Sequence, residues 1–433
     1  MTCFYRPFSS RVSASLALAL SLTLFSARPV LSQPATPLPV AKASDKGLTQ
    51  PGKERIDSFF KESIQADRTP GAVVAIARNG KLVFYKSYGY IDKEQQRPMP
   101  LNAVFSLASM TKVMATVGAL TFYEEGRLPL HAPVAQWLPE FKQMQVGVMK
   151  DGAFSTVPAK RPITIQDLMR HTSGLTYGAR GDTPVHKLTL GSSSGAALEL
   201  DGTAFLNRLS QAPLLYEPGT VWDYGFGLDV LGLVEENIAG APLESILKTR
   251  IWNKLGMKDT TFRLTSIDPA RLARPLPVDP LTGKRQSIGV LDKPSRFDCG
   301  GGCAFSTAAD YIRFGQMLLN GGQLDGQRVL SPATVAFMTA NHLTSDIQNN
   351  VAVTEPARKG YGFGLSVAVR MERGLSAVNG NPGDFFWNGA NGTMFWVDPQ
   401  QQLVAVLMAA SPGEIRKVFR EQFNALVYGA LDQ

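Results

Sequence analysis

At 433 residues the chain is long enough for two or three domains of ordinary size, which excludes a fibre or a peptide-sized scaffold. Hydrophobic residues make up 44% and charged residues 18%, a balance that can bury a sizeable core and argues against a disordered chain. The formal net charge of +8 is scattered rather than gathered into basic runs with interleaved aromatics, so it reads as a solvated surface and speaks against nucleic-acid binding.

Arg6 and Arg11 precede an apolar stretch over residues 12–25, shorter than the ~20 residues a membrane-crossing helix needs. The pattern predicts a signal peptide over residues 1–32, cleaved near Ser32, and a periplasmic or secreted protein without a stable membrane anchor. Residues 33–51 are rich in Pro, Ala, Ser and Lys and predict a disordered lead-in. Ile56, Phe59, Phe60 and Ile64 then recur at helical spacing over residues 54–66. Two β-rich runs, 71–78 and 81–90, flank Asn79-Gly80 and predict a hairpin. A helical pattern runs from Phe105 to Glu125 and stops at Gly126, a suitable residue to follow a helix.

Residues 127–290 read as helices and long loops. Strands return over 362–370, 393–397 and 403–409, with a turn at Asp398-Pro399, and a helix over 414–431 closes the chain. The predicted fold class is α+β. An antiparallel sheet, flanked by helices, is built from both chain ends (52–126 and 291–433), with a mainly helical domain (127–290) inserted between them.

The chemistry begins with Ser109 and Lys112, which at three residues apart share one face near a helix N-terminus, where a developing oxyanion is favoured. A serine hydroxyl is a poor nucleophile until a base takes its proton, and a partly desolvated lysine with a lowered pKa can be that base. Ser-x-x-Lys alone is weak, and it recurs at Ser245–Lys248, where Ile246, Leu247 and Ile251 form a core stripe and the lysine reads as solvated. Of the three cysteines, Cys3 lies in the leader, leaving Cys299 and Cys303 in CGGGC. Their spacing fits either a short-loop disulfide or two small buried thiols. No metal site is expected there, because no His or further Cys lies within ligand spacing, and no other cofactor is implied.

The segments FSLASMTK, TIQDLMRHTSGL, PGTVWDYGFGLDVLG, LGMKDTTF and WNGANGTMFWVDP, in this order, resemble the serine β-lactamase and penicillin-binding protein superfamily. The chain is most similar to the class C branch and its esterase relatives, the family VIII carboxylesterases. That resemblance implies a β-lactamase/transpeptidase-like fold with the active site between the sheet and the helical insert. It implies Ser109 as the acylated nucleophile, Lys112 as its partner base, and Tyr224 as the tyrosine of a Tyr-x-Asn element, sharing one proton with Lys112. Trp387-Asn388-Gly389 takes the third motif's place on an expected edge strand. The backbone N–H groups of Ser109 and Ala390 then form the oxyanion hole. His171, in HTSGL, is expected to be a structural loop residue.

Two departures from the β-lactamase pattern guide the substrate reading. Trp387-Asn388-Gly389 replaces Lys-Ser/Thr-Gly, and Phe226 replaces the asparagine of Tyr-x-Asn. Both put apolar surface where polar recognition stood, with Trp387, Asn388, Gly389 and Phe226 as expected substrate contacts. The reading is a secreted esterase on small neutral carboxylic esters. The alternatives are a β-lactamase or D-alanyl-D-alanine peptidase-type amidase, or a non-catalytic binding or scaffold protein. A rival nucleophile motif, Gly191-Ser192-Ser193-Ser194-Gly195 with His342 downstream, lacks the strand before it and the helix after it that a nucleophile elbow needs.

Overall fold

Ile56 and Phe60, one helical turn apart, are fully buried on the inner face of α1 (Gln50–Gln65). The helix starts where the Thr49 hydroxyl accepts a hydrogen bond from the Gly52 amide at 3.2 Å. The computed structural model describes residues 37–432 apart from 43, 44 and 46, so the signal-peptide expectation lies outside the described residues.

After α1 come β1 (Gly71–Arg78) and β2 (Lys81–Asp92), joined at Asn79 and Gly80. Both turn residues have positive φ, 51° and 73°, as a two-residue hairpin turn with the sheet's twist requires. A short β3 (Arg97–Pro98) extends this edge. The C-terminal half supplies β4 (Tyr361–Phe363), β5 (Ala368–Arg370), β6 (Phe385–Asn388), β7 (Met394–Asp398) and β8 (Leu403–Ala409). All pairings are antiparallel, in the order β4-β5-β6-β7-β8-β1-β2-β3. The two chain ends therefore meet in mid-sheet, where Ala72 lies opposite Ala409. Every residue of β8 and all but the last of β1 are buried, as expected of central strands covered on both faces.

Helix α2 (Thr111–Glu124) is buried through twelve consecutive residues. It packs against α3 (Gly227–Ala239) from the helical segment, while α4 (Ala308–Leu319) lies on β8 and β1. Helix α5 (Ile415–Tyr428) packs beside α1 on the sheet. One apolar core runs continuously from the sheet through residues 127–290.

Several expectations need correction. The described part of the lead-in is packed rather than disordered: Leu38 is buried, Val40 bridges Leu82, and Leu48 bridges Leu431. Leu38 and Leu48 are buried, whereas Val40 is held by its backbone bridge and stays exposed. The single strand expected over 362–370 is broken into β4 and β5 by a turn in which Ser366 has φ 64°. Residues 127–290 also contain a hairpin, Gln145–Lys150 with Ala153–Pro158, around Asp151-Gly152.

Candidate active site

The segment from Phe105 enters the site differently from the expected continuous helix. Phe105–Ser106 pairs as a short strand with Phe305–Ser306, a 3-10 turn follows over Ala108–Met110, and α2 begins only at Thr111. Ser109 is thus half-buried one turn ahead of the helix, still at its positive end. Ala108 holds φ at 45°, a conformation that costs a non-glycine residue about 1–3 kcal/mol. Its surroundings hold it there. Thr111 Oγ1 donates to the Ala108 carbonyl (2.7 Å), the Leu107 amide donates to the Ala304 carbonyl (2.9 Å), and Thr393 Oγ1 donates to the Leu107 carbonyl (3.0 Å).

Lys112 is fully buried. Its Nζ donates to Tyr177 Oη (3.0 Å) and to the Gly301 carbonyl (2.5 Å), and stands 4.7 Å from the centroid of the Tyr224 ring. Tyr177 Oη lies 2.5 Å from Ser193 Oγ, which donates to Asp229 Oδ2 at 2.6 Å. Because the ammonium only donates and the ionised carboxylate only accepts, the chain has one polarity: Lys112 to Tyr177 to Ser193 to Asp229. Gly301 closes the ring, its amide donating to Asp229 Oδ1 at 3.0 Å. A Cβ on Gly301 would fall 2.2 Å from Asp229 Oδ2, so the close approach requires glycine. The loop is clipped by the Cys299–Cys303 disulfide, with Cα atoms 5.3 Å apart.

This network reverses the expectation that Lys112 has a lowered pKa. Burial alone would depress it, but the negative charge that Tyr177 and Tyr224 carry on ionising, together with Asp229, outweighs burial and raises it above the ordinary lysine value. Lys112 is held as an ammonium. Burial pushes the Tyr177 phenol up, so it stays protonated.

Tyr224 is half-buried. Trp387 Nε1 donates to its hydroxyl at 3.4 Å, and the His171 ring packs on it with centroids 4.6 Å apart. His171 has φ 57°, and burial, then Lys112 and Arg180, keep its pKa well below the ordinary value, so it is neutral packing. This agrees with its expected structural place.

Ser109, Tyr224, Trp387, Asn388 and Ala390 line one cleft of about 150 Å³. A larger cavity of about 500 Å³, beside Trp252 and Asp259, contains none of them. Gly389 has a different task from the expected substrate contact: a Cβ there would lie 2.1 Å from the Leu107 carbonyl, so its bareness lets β6 close on the Ser109 turn. Strand β6 is not an edge strand, since β5 lies outside it. Yet β5 pairs only with Phe385 and Phe386, so Trp387 and Asn388 run past its end.

Phe226 is absent from the cleft. It is fully buried against Tyr177 (4.5 Å between centroids) and Phe205 (5.5 Å), because the chain turns into α3 immediately after it. Trp387 is only 2% exposed, enclosed by Tyr224, Phe363 and the Arg358 guanidinium, and offers no broad apolar face. The wall expected to be apolar is cationic instead, with Arg180, Arg358, Arg416, Lys417 and Arg420 lining it. These come from segments far from the recognised motifs, and no local spacing marks them. Tyr177 and Asp229 were missed too, although they lie six residues after His171 and five after Tyr224.

Contrary to expectation a helix does follow the rival motif, over Ser193–Glu199, but Ser193 is buried and bonded to Tyr177 and Asp229 rather than presented to a cleft. Ser245 and Lys248 are exposed beside the buried Ile246, Leu247 and Ile251, as the core-stripe reading requires.

A nucleophile-bearing turn at the head of a buried helix, a lysine beneath it, and an antiparallel sheet from both termini define a serine hydrolase of the β-lactamase/penicillin-binding protein superfamily. Residues 56–429 match the Beta-lactamase family, and the chain belongs to it. Protein Rv1367c of Mycobacterium tuberculosis is 34% identical over 358 residues, 81% of this chain and 88% of its own. Esterase EstB of Burkholderia gladioli is 31% identical over 375 residues, 82% of this chain and 89% of its own. The solved structure of EstCE1, a hydrolase with promiscuous acyltransferase activity, superimposes with a TM-score of 0.72 at 28% identity, covering 88% of this chain and 99% of that one. These relatives place the chain in the esterase-like branch of the superfamily.

Proposed function

We propose that the chain is a carboxylesterase working through an acyl-enzyme on Ser109. The observation that carries this reading is the shared cleft of Ser109, Tyr224 and Ala390 above a Lys112 held as an ammonium. The reactive form has Tyr224 as a phenolate beside the Lys112 ammonium. In the acylation step Ser109 Oγ attacks the ester carbonyl while its proton passes to that phenolate oxygen, leaving a neutral phenol. The carbonyl oxygen becomes an oxyanion held by the backbone N–H groups of Ser109 and Ala390. Collapse expels the alcohol, which takes the proton back from Tyr224. Water then attacks the acyl-enzyme as its proton passes to Tyr224, and collapse releases the acid while Ser109 Oγ takes that proton back, restoring the phenolate.

Lys112 does not shuttle the proton in this scheme. Its fixed charge stabilises the Tyr224 phenolate that stands ready before each proton transfer and is restored after it, and Gly301, Tyr177 and Asp229 hold that charge in place. The small cleft favours short acyl groups, and the leader sequence supports export. The test is covalent: a fluorophosphonate probe should label the wild type on Ser109, read by peptide mass, and Ser109→Ala should lose both label and p-nitrophenyl ester turnover. Label on Ser193 instead would defeat the reading.

A further inference from the structure

The cleft carries charge that ester hydrolysis alone does not require. Five cations line it against a single lining carboxylate, Glu355. Glu355 sits between two buried guanidiniums: Arg358 Nη2 donates to it at 2.7 Å, and Arg420 Nη1 lies 3.6 Å away. Arg358 and Arg420 are each 6% exposed, and the Nε of each is buried without a hydrogen-bond partner among the described residues. An unsatisfied guanidinium N–H in a buried site is costly. The outer nitrogens of both are engaged: Arg358 Nη1 donates to Thr354 Oγ1 at 2.7 Å and Arg420 Nη2 to the Gly389 carbonyl at 2.5 Å, so the two contribute charge to the cleft rather than free donors.

The other three cations differ in how far they are neutralised. Lys417 is paired with Glu414 at 2.6 Å, and Arg416 folds back onto the Pro412 and Gly413 carbonyls. Arg180 is exposed, has no carboxylate within pairing distance among the described residues, and stands 5.6 Å from the Tyr224 ring centroid. Even counting Glu414, positive charge is in clear excess. Burial, together with Arg416 and Arg358, brings Arg420 down to about 10, still charged at neutral pH. Like charges collected in a narrow cleft focus their field on whatever enters.

From this excess, and from Arg180 standing exposed with no acidic partner among the described residues, we infer that the substrate is an ester bearing a second, free carboxylate, which the cleft's arginines attract and Arg180 pairs with while Ser109 attacks the ester carbonyl. A carboxylate is the acceptor chosen because its planar pair of oxygens matches the guanidinium fork. Arg180, exposed and without an acidic partner among the described residues, has a free guanidinium fork for that carboxylate, and the buried Arg358 and Arg420 add their field. The neutral-ester expectation rested on the loss of one lysine from the third motif; these arginines supply positive charge from other elements. The proposal rests on the Ser109 reading and deepens it.

The test compares two p-nitrophenyl esters of the same length, the glutarate half-ester and the valerate, with the full-length protein. The half-ester should have the higher kcat/KM by at least about tenfold, mostly through KM, the scale expected of a charge-assisted hydrogen bond. The preference should shrink as salt rises from 20 to 500 mM. Arg180→Gln changes an exposed side chain and so should fold; it should reduce the half-ester to valerate ratio several-fold. Glutarate dianion should inhibit competitively, and more tightly than valerate. Equal use of the two esters, or a ratio indifferent to both salt and Arg180→Gln, would overturn the proposal. Fluorophosphonate labelling in the same preparations separates the two failures: label on Ser109 without anion preference sinks only this inference, whereas no label sinks the hydrolase reading beneath it.

Discussion

The Gly301 carbonyl receives a hydrogen bond from Lys112 Nζ, while the amide of the same residue donates to Asp229. One peptide-bearing glycine thus joins an ammonium and a carboxylate that do not touch directly. The pair is set by backbone, inside a disulfide-closed loop, rather than by flexible side chains alone.

Gly301→Ala should be more damaging than its size suggests. Its Cβ would collide with Asp229 Oδ2 and with Ser193 Oγ, 2.2 and 2.3 Å away. We expect kcat for a p-nitrophenyl ester to fall by about 10²-fold or more, the scale of a displaced catalytic group, with circular dichroism unchanged. Activity within about threefold of wild type would show that Gly301 does not position Lys112.

Lys112→Ala should cost about 3–5 kcal/mol of stability as well as activity, because it leaves Asp229 buried without its cation. Lys112→Ala with Asp229→Asn should lose less stability than Lys112→Ala alone, a coupling that urea denaturation of the four-member cycle measures. The raised pKa of Lys112 also sets a sign with pH. Its stabilisation is fully present below the unfolded lysine value of about 10.4 and is lost only as pH rises toward the higher folded value, so it contributes no slope between pH 6 and 9. In Lys112→Ala, however, Asp229, already raised by burial, loses the cation that lowers it, so the variant should weaken further relative to wild type as pH rises across that range.

Tyr224→Phe should lower kcat by about 10²- to 10⁴-fold, the range for losing a positioned base. Ser193→Ala should lower it only about two- to tenfold, by loosening one neutral link in the chain to Asp229. Stopped-flow acylation rates on one chromogenic ester would rank them, and the reverse order would return Ser193 to the role of nucleophile.

Glu235 is buried in α3 with neither carboxyl oxygen hydrogen-bonded, and burial raises its pKa well above the ordinary value. A raised carboxyl stabilises the fold below its unfolded pKa of about 4.3, and that stability drains away as pH climbs toward the folded value. Glu235→Gln mimics the protonated acid and should remove this slope. Relative to wild type it should gain about 1–3 kcal/mol in urea stability between pH 5 and pH 8. Parallel curves for the two proteins would contradict it.

What the sequence made legible follows local rules. Asn79-Gly80 between alternating apolar runs defined the β1–β2 hairpin, and ordered motifs located Ser109, Lys112, Tyr224 and Ala390. The hairpin at Asp151-Gly152 carried the same kind of signal, with φ of 49° and 78°, but sat among helical segments and was passed over. Phe226 was misplaced for a geometric reason: two residues after Tyr224 the backbone enters α3, and the ring turns inward to Tyr177. The arginine wall is legible in no window of sequence, because Arg180, Arg358 and Arg420 converge only once the sheet and its helices have packed.

The central pairing of β1 with β8 also dictates a schedule. Ala72 waits for Ala409, and the Leu107 carbonyl beside Ser109 waits for Thr393. A growing chain can form the β1–β2 hairpin early, but its open edge stays unpaired until β8 has been made. Such an edge, exposed through most of synthesis, gives a binding chaperone its opportunity and an aggregating neighbour its risk. It also means that no nascent fragment lacking β6 to β8 can assemble the cleft, so labelling of Ser109 should arise only after β8 has emerged.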